Sequence, residues 1–191
     1  GEAYDELKNV AGATEEFRAA VQADPKTPYA HFGLGYLLWG QNKLAEAAQQ
    51  FKAELELVPD EADAMAFLAD CDLQMNNTAE ALPLLEKAVR LNPALERAHL
   101  DLGILYADAG RREEALQQLT LAARLQPGDV NVHWRLGKLY MAMGKREEAR
   151  AEFAKTKSLN EADQNTIFTE LHAAQARGKP KQDAADPAPG K

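Results

Sequence analysis

Side chains able to do covalent chemistry are scarce in these 191 residues. Ser158 is the one serine and Cys71 the one cysteine. Nucleophilic catalysis through either needs an adjacent base and a third group to orient it. Walker, GxGxxG, HExxH, CxxC and calcium-loop spacings are absent. Gly33–Leu34–Gly35 looks like half of a nucleotide fingerprint, but it lies inside an apolar helical pattern, without the strand-then-helix context a phosphate site needs. The expectation is a non-catalytic protein with no cofactor.

The elements that carry these residues repeat. Gly35, Ala69, Gly103 and Gly137 stand 34 residues apart, each preceded by a leucine (Leu34, Leu68, Leu102, Leu136). The same offset links Ala13, Ala47, Ala81, Ala115 and Ala149, then Phe17, Phe51, Leu85, Leu119 and Phe153, then Pro25, Pro59, Pro93 and Pro127. So many columns at one spacing define a repeat array.

Each unit reads as two helices. In the third, Leu102, Leu105, Tyr106 and Ala109 recur at the three- and four-residue steps of a buried helical stripe. Gly110 follows, and its counterparts are Asn42, Asn76 and Gly144. Gly and Asn tolerate the left-handed conformation that ends a helix, so every unit should break there. A second helix then runs through Ala115, Leu119 and Ala122 to the helix-stopping Pro127. Small residues such as Gly103 and Ala115 let two backbones approach closely.

On these columns the chain resembles the tetratricopeptide repeat family. In the third unit the signature is Leu102, Gly103, Tyr106, Ala115, Leu119, Ala122 and Pro127. The match covers units 28–61, 62–95, 96–129 and 130–163 without insertion, the compactness suggesting a bacterial origin. The resemblance implies an all-α, right-handed superhelical solenoid of antiparallel helix pairs. Residues 1–27 read as a partial N-terminal repeat, and 164–177 (Ile167, Phe168, Leu171, Ala174) as a C-terminal capping helix that shields the last core face. Gly1 falls at the column of Gly35, which implies a processed or trimmed start. Pro83 lies early in the second helix of unit two and Asp72 replaces an apolar residue there, so that unit should be the least regular. Residues 178–191, rich in Pro and Lys, read as a disordered or extended tail.

The resemblance also places the ligand-facing stripe on columns two, five, nine and twelve of the first helices, with column six beside it. Those positions supply Tyr29, Phe32, Tyr36 and Trp39 in unit one. They supply Asp63, Phe67, Asp70 and Leu73 in unit two, and Arg97, Leu100, Asp101, Ile104 and the nearby Asp108 in unit three. In unit four they supply Trp134, Arg135, Lys138 and Met141. Large residues on such a stripe either pack against neighbouring helices or form a peptide groove with aromatic anchors. The family's clamp for chaperone C-terminal carboxylates does not fit: Phe32, Tyr36, Phe67, Arg97 and Asp101 stand where it needs Lys, Asn and Arg, and Ala66, Asp70, Asp101, Asn131 and Arg135 fare no better one unit on.

His31, His99 and His133 share a column in different repeats, on parallel helices. Such helices lie roughly 8–10 Å apart, too far for ligands that each approach one zinc to about 2 Å. They are expected to be structural, and Cys71, in a leucine column, to be a core residue.

Composition narrows the partners. Thirty acidic residues against 22 basic give a net charge of −8, which disfavours nucleic acid. No apolar run reaches the ~18–20 residues of a membrane span. One cysteine excludes an intrachain disulfide and leaves cytoplasmic, periplasmic and extracellular sites equally open. Charge is uneven: residues 1–129 carry 11 basic and 22 acidic side chains, and residues 130–191 carry 11 and 8. An acidic end and a basic end can orient partners or copies of the chain.

The leading expectation is an interaction scaffold that binds a protein or peptide segment along the concave face. A second is self-association, head to tail, into an oligomer or filament. A third is the regulatory arm of a larger enzyme. The Lys- and Pro-containing tail, Lys179–Lys191, is itself a candidate to dock on the aromatic and acidic side chains of that face.

Overall fold

A computed structural model describes residues 2–177, with side chains placed from Asn9 to Ala162 and at Gln164 and Asn165. Among the described residues there are nine helices and no strand. They are α1 (Glu2–Ala23), α2 (Ala30–Gly40), α3 (Leu44–Leu57), α4 (Ala62–Gln74), α5 (Thr78–Leu91), α6 (Glu96–Asp108), α7 (Arg112–Leu125), α8 (Val130–Ala142) and α9 (Arg146–Arg177).

The breaks fall where residue type requires them. Asn42, Asn76, Gly110 and Gly144 have φ of 59°, 65°, 74° and 76°, the left-handed conformation that glycine and asparagine tolerate best. After each, a backbone N–H returns to the last turn, as from Lys43 to the Leu38 carbonyl at 2.9 Å and from Arg111 to Tyr106 at 2.8 Å. These bonds satisfy carbonyls that a helix end would leave orphaned. The chain therefore reverses, and α2–α3, α4–α5, α6–α7 and α8–α9 form the tightly packed pairs.

Pair spacing is set by the glycine column. A Cβ on Gly103 would lie 2.6 Å from Leu119 Cγ, and one on Gly137 would lie 2.5 Å from Phe153 Cε1. Leu119 and the alanine column (Ala47, Ala81, Ala115, Ala149) are buried, and the core continues through Leu85, Leu102, Leu136 and Val132. Successive first helices, α2, α4, α6 and α8, touch one another, whereas α3, α5 and α7 do not. The first helices therefore line the inner, shorter side of a curved stack.

Two local expectations change. Pro83 does not shorten its helix: α5 has 14 residues, like α3 and α7. The proline is exposed, so the single missing N–H costs a bond on the solvent side only. The irregular unit is the first, where α2 starts two positions later in the repeat than α4, α6 and α8 and has 11 residues against their 13. At the C-terminal end, the second helix of unit four and the segment 164–177 form one helix, α9. Glu161 stands where the other units have their helix-stopping proline, so nothing interrupts it.

Candidate inner-face interaction site

The stripe residues divide into those used in packing and those left facing solvent. Phe67 on α4 is the hub of the first group. Its ring lies 5.9 Å from Phe32, 5.3 Å from Tyr36, 5.2 Å from Trp39 and 5.6 Å from Phe51, centroid to centroid. Three of these pairs are edge-to-face, the arrangement that aligns ring edges with ring faces. Column six of unit one is Gly33, where a Cβ would lie 2.3 Å from Phe17 Cε1. In unit two the same column carries Phe67, which instead meets Phe51.

A polar network sits on this cluster. Asp70 is buried, and its carboxylate accepts from Trp39 Nε1, from Gln74 Nε2 at 2.8 Å and from Arg97 Nη2 at 3.3 Å. The Arg97 guanidinium lies over the Trp39 ring, 4.6 Å from its centroid. Trp39 is thus held on its edge by α4 and on its face by α6. The buried Asp70 carboxylate thus has three donors, although Arg97 Nε is buried without a hydrogen-bond partner.

Asp101 is less well served. It is 8 % exposed, and its Oδ2 has no hydrogen-bond partner. Burial, reinforced by the charge of Asp70 and only partly offset by Arg97 and Arg135, pushes its carboxyl up to about 7. Leu100 is buried in the core between helices. Asp63, Leu73 and Ile104 are half-buried, and Asp108 is exposed.

What remains open on the inner stripe is Tyr36 at 48 %, Trp134 at 39 % and Met141 at 53 %, with Lys138 exposed beside them. Lys138 Nζ lies 4.5 Å from the Trp134 centroid and Arg135 Cζ 5.1 Å from it. Tyr29 is also exposed, at the displaced start of α2. The aromatic set of unit one is therefore mostly self-packed, with Tyr36 at its edge, and unit four presents a separate cationic and aromatic patch.

The histidines are built into the repeat. Nε2 of His31, His99 and His133 donates to the carbonyls of Pro25, Pro93 and Pro127 at 3.1, 3.0 and 2.9 Å. Each Nδ1 faces the residue 19 positions on, at Gln50 (2.8 Å), Gln118 (2.7 Å) and Glu152 (2.6 Å). Each ring ties the inter-unit turn to both helices of its pair. Unit two replaces the first and last members together, by Met65 and Leu84. Cys71 is fully buried in the core shared by α2–α5. Among the described residues no group of three or more His, Cys, Asp or Glu could hold a metal ion.

The family described as tetratricopeptide repeat matches residues 1–62 and 32–94, and again 72–125 and 109–177. This chain belongs to the tetratricopeptide repeat family. Its fold is that of other tetratricopeptide repeat solenoids. A crystal structure of MamA superposes with a TM-score of 0.71 at 22% identity, over 86% of this chain and 96% of that one. MamA from Desulfovibrio magneticus RS-1 gives 0.70 at 22%, over 84% and 91%. YrrB, described as a TPR protein with an unusual peptide-binding site, gives 0.64 at 23%, over 91% and 88%. No curated protein sequence matched. Among the described residues no helix is long and apolar enough to cross a membrane.

Proposed function

We propose that this tetratricopeptide repeat protein is a non-catalytic scaffold whose concave face binds a segment of another protein. Proteins of the family are generally scaffolds of that kind, and the structurally similar YrrB is described as having a peptide-binding site. The observation that carries the reading is the row of exposed large side chains on the inner helices: Tyr36, Trp134 and Met141. Solvent-facing positions on a helix have no packing reason to be aromatic, and such anchors supply most of an interface's energy. Behind Tyr36, the Phe67 cluster and the Asp70 network hold the surface in place, which lowers the entropic cost of binding there.

The test is selection of short peptides on the immobilised protein, followed by affinity measurement on surface variants. Tyr36→Ser, Trp134→Ser and Met141→Ser should each weaken the selected peptides by about tenfold, on the order of 1.4 kcal/mol. Leu125→Ser, at an exposed position on the outer helix α7, should leave them unchanged. Peptides that bind all three inner-face variants as well as the parent would sink the reading.

Self-association is the second reading, and Val10 and Phe17 favour it. Both are exposed on α1. Exposed apolar side chains on one helix are suited to cover by another copy. Light scattering decides it: a mass independent of concentration excludes stacking. The docking of residues 179–191 lies outside the described residues.

A further inference from the structure

Between α6 and α8, on the concave side, is a depression of about 280 Å³. Ile104 and Leu139 are among the residues that form its apolar lining, and Arg112, Arg135 and Lys138 supply three cations against the single carboxylate of Asp108. None of the three cations forms an ion pair among the described residues, as is also true of exposed cations such as Lys52 and Arg124; what sets these three apart is that they line one depression. Arg135 Nε is buried with no hydrogen-bond partner.

The neighbourhood keeps these charges available. Asp101 is the buried carboxylate whose charge acts on Arg135, and with its carboxyl raised to about 7 it neutralises the guanidinium only in part at neutral pH. Lys138 and Arg135 lie against the Trp134 ring, which biases these two cations toward one arrangement before any ligand arrives. Half-ordered cations beside an apolar floor suit a ligand with a carboxylate next to an aliphatic group. The volume admits one or two amino-acid side chains.

We propose that this depression takes an acidic and partly aliphatic peptide segment of a partner protein, carboxylates on Arg112, Arg135 and Lys138 and an aliphatic side chain against Ile104 and Leu139. The proposal rests on the scaffold reading and adds the chemistry of the partner. The net charge of −8 does not oppose it, because charges more than about 8 Å away are screened at physiological salt. Residues 130–191 carry an excess of basic side chains, 11 against 8, and it is the local charge that the ligand meets.

Three dye-labelled decapeptides with the same leucine positions, and Glu, Gln or Lys at the others, are titrated against the full chain by fluorescence anisotropy. The Glu peptide should bind at least about tenfold more tightly than the Gln peptide, and the Lys peptide more weakly still. Arg112→Glu and Lys138→Glu, both at exposed positions that leave the core intact, should each cut the affinity for the Glu peptide by about tenfold. Arg124→Glu, exposed on α7, controls for total charge and should change it by less than about twofold. Equal binding of the three peptides, or Glu-peptide binding that survives both charge reversals, overturns this proposal while leaving the scaffold intact. Failure of all three peptides also overturns it, and the selection experiment above then judges the scaffold separately. A mass by light scattering that grows with concentration, and that Lys138→Glu returns to monomer, would make a second copy the occupant and likewise overturn it.

Discussion

Glu54, on the second helix of unit one, caps the helix that Tyr29 precedes. Its Oε1 accepts the backbone N–H of Tyr29 at 2.9 Å and its Oε2 that of Phe32 at 3.1 Å. Tyr29 has φ of 63°, a left-handed conformation costly for a bulky residue. The first turn of α2 is unwound, and a fully buried carboxylate takes up the N–H groups that the turn releases. At α4 and α8 the residue before the helix does this, Glu61 for Asp63 and Asp129 for Asn131 and Val132.

Replacing Glu54 by alanine should therefore destabilise the protein, although alanine stands at the equivalent Ala20, Ala88 and Ala122. Two partly buried backbone donors lose their acceptor, an effect of about 1–3 kcal/mol. Chemical denaturation of Glu54→Ala should show a lower midpoint with an unchanged slope. An unchanged midpoint would mean that α2 rewinds to the start seen in its sister helices.

The contrast between this carboxylate and the repeat columns shows what could be read from residue types. Asn42, Asn76, Gly110 and Gly144 announce the breaks because backbone geometry restricts which residues fit there. Gly103 announces the close contact with Leu119 because only a missing Cβ permits it. Glu54 breaks the alanine column of Ala20, Ala88 and Ala122, and Ala88 and Ala122 are fully buried, so the column marks a packing position. What it does not announce is that the carboxylate meets the N–H groups freed by the late start of α2, a tertiary event. The histidine clips did leave a signal: His31, His99 and His133 each have Gln or Glu 19 residues on, and unit two loses both members together. Column arithmetic placed Trp39, Asp70 and Arg97 on one face, but a helical period carries no distances. It could not show that Asp70 joins them into a network or that Asp101 and Leu100 are buried.

Cys71 should be inert in the folded protein. It is fully buried, and burial, with the neighbouring charges of Asp70 and Asp72, pushes its thiol up to about 12. The reactive species is the thiolate, so both access and charge state oppose reaction. Iodoacetamide at pH 8 should label the native protein only as fast as it opens, and label it rapidly in denaturant. Fast stoichiometric labelling of the native state would reveal an exposed, redox-competent thiol.

Asp101 should make stability fall as pH rises through the slightly acidic range. Its carboxyl titrates near 7 in the folded protein, against an ordinary value of 3.8. Between those values the folded state holds a proton that the unfolded state has released, so raising the pH favours unfolding. The stabilisation is complete below about pH 4 and gone above about pH 7, and the difference is on the order of a few kcal/mol. Asp101→Asn removes the titration while keeping the shape. The variant should be more stable than the parent at pH 8, and its advantage should shrink steadily toward pH 4. Charges facing Asp101 come from Asp70 on α4, Glu96 and Arg97 on α6 and Arg135 on α8, so Arg135→Gln should enlarge the parent's pH dependence by removing a compensating cation. Denaturation midpoints across that range check both statements. A parent-to-Asn difference that does not vary with pH would show that Asp101 is ionised throughout, with Arg97 and Arg135 balancing the cost of its burial.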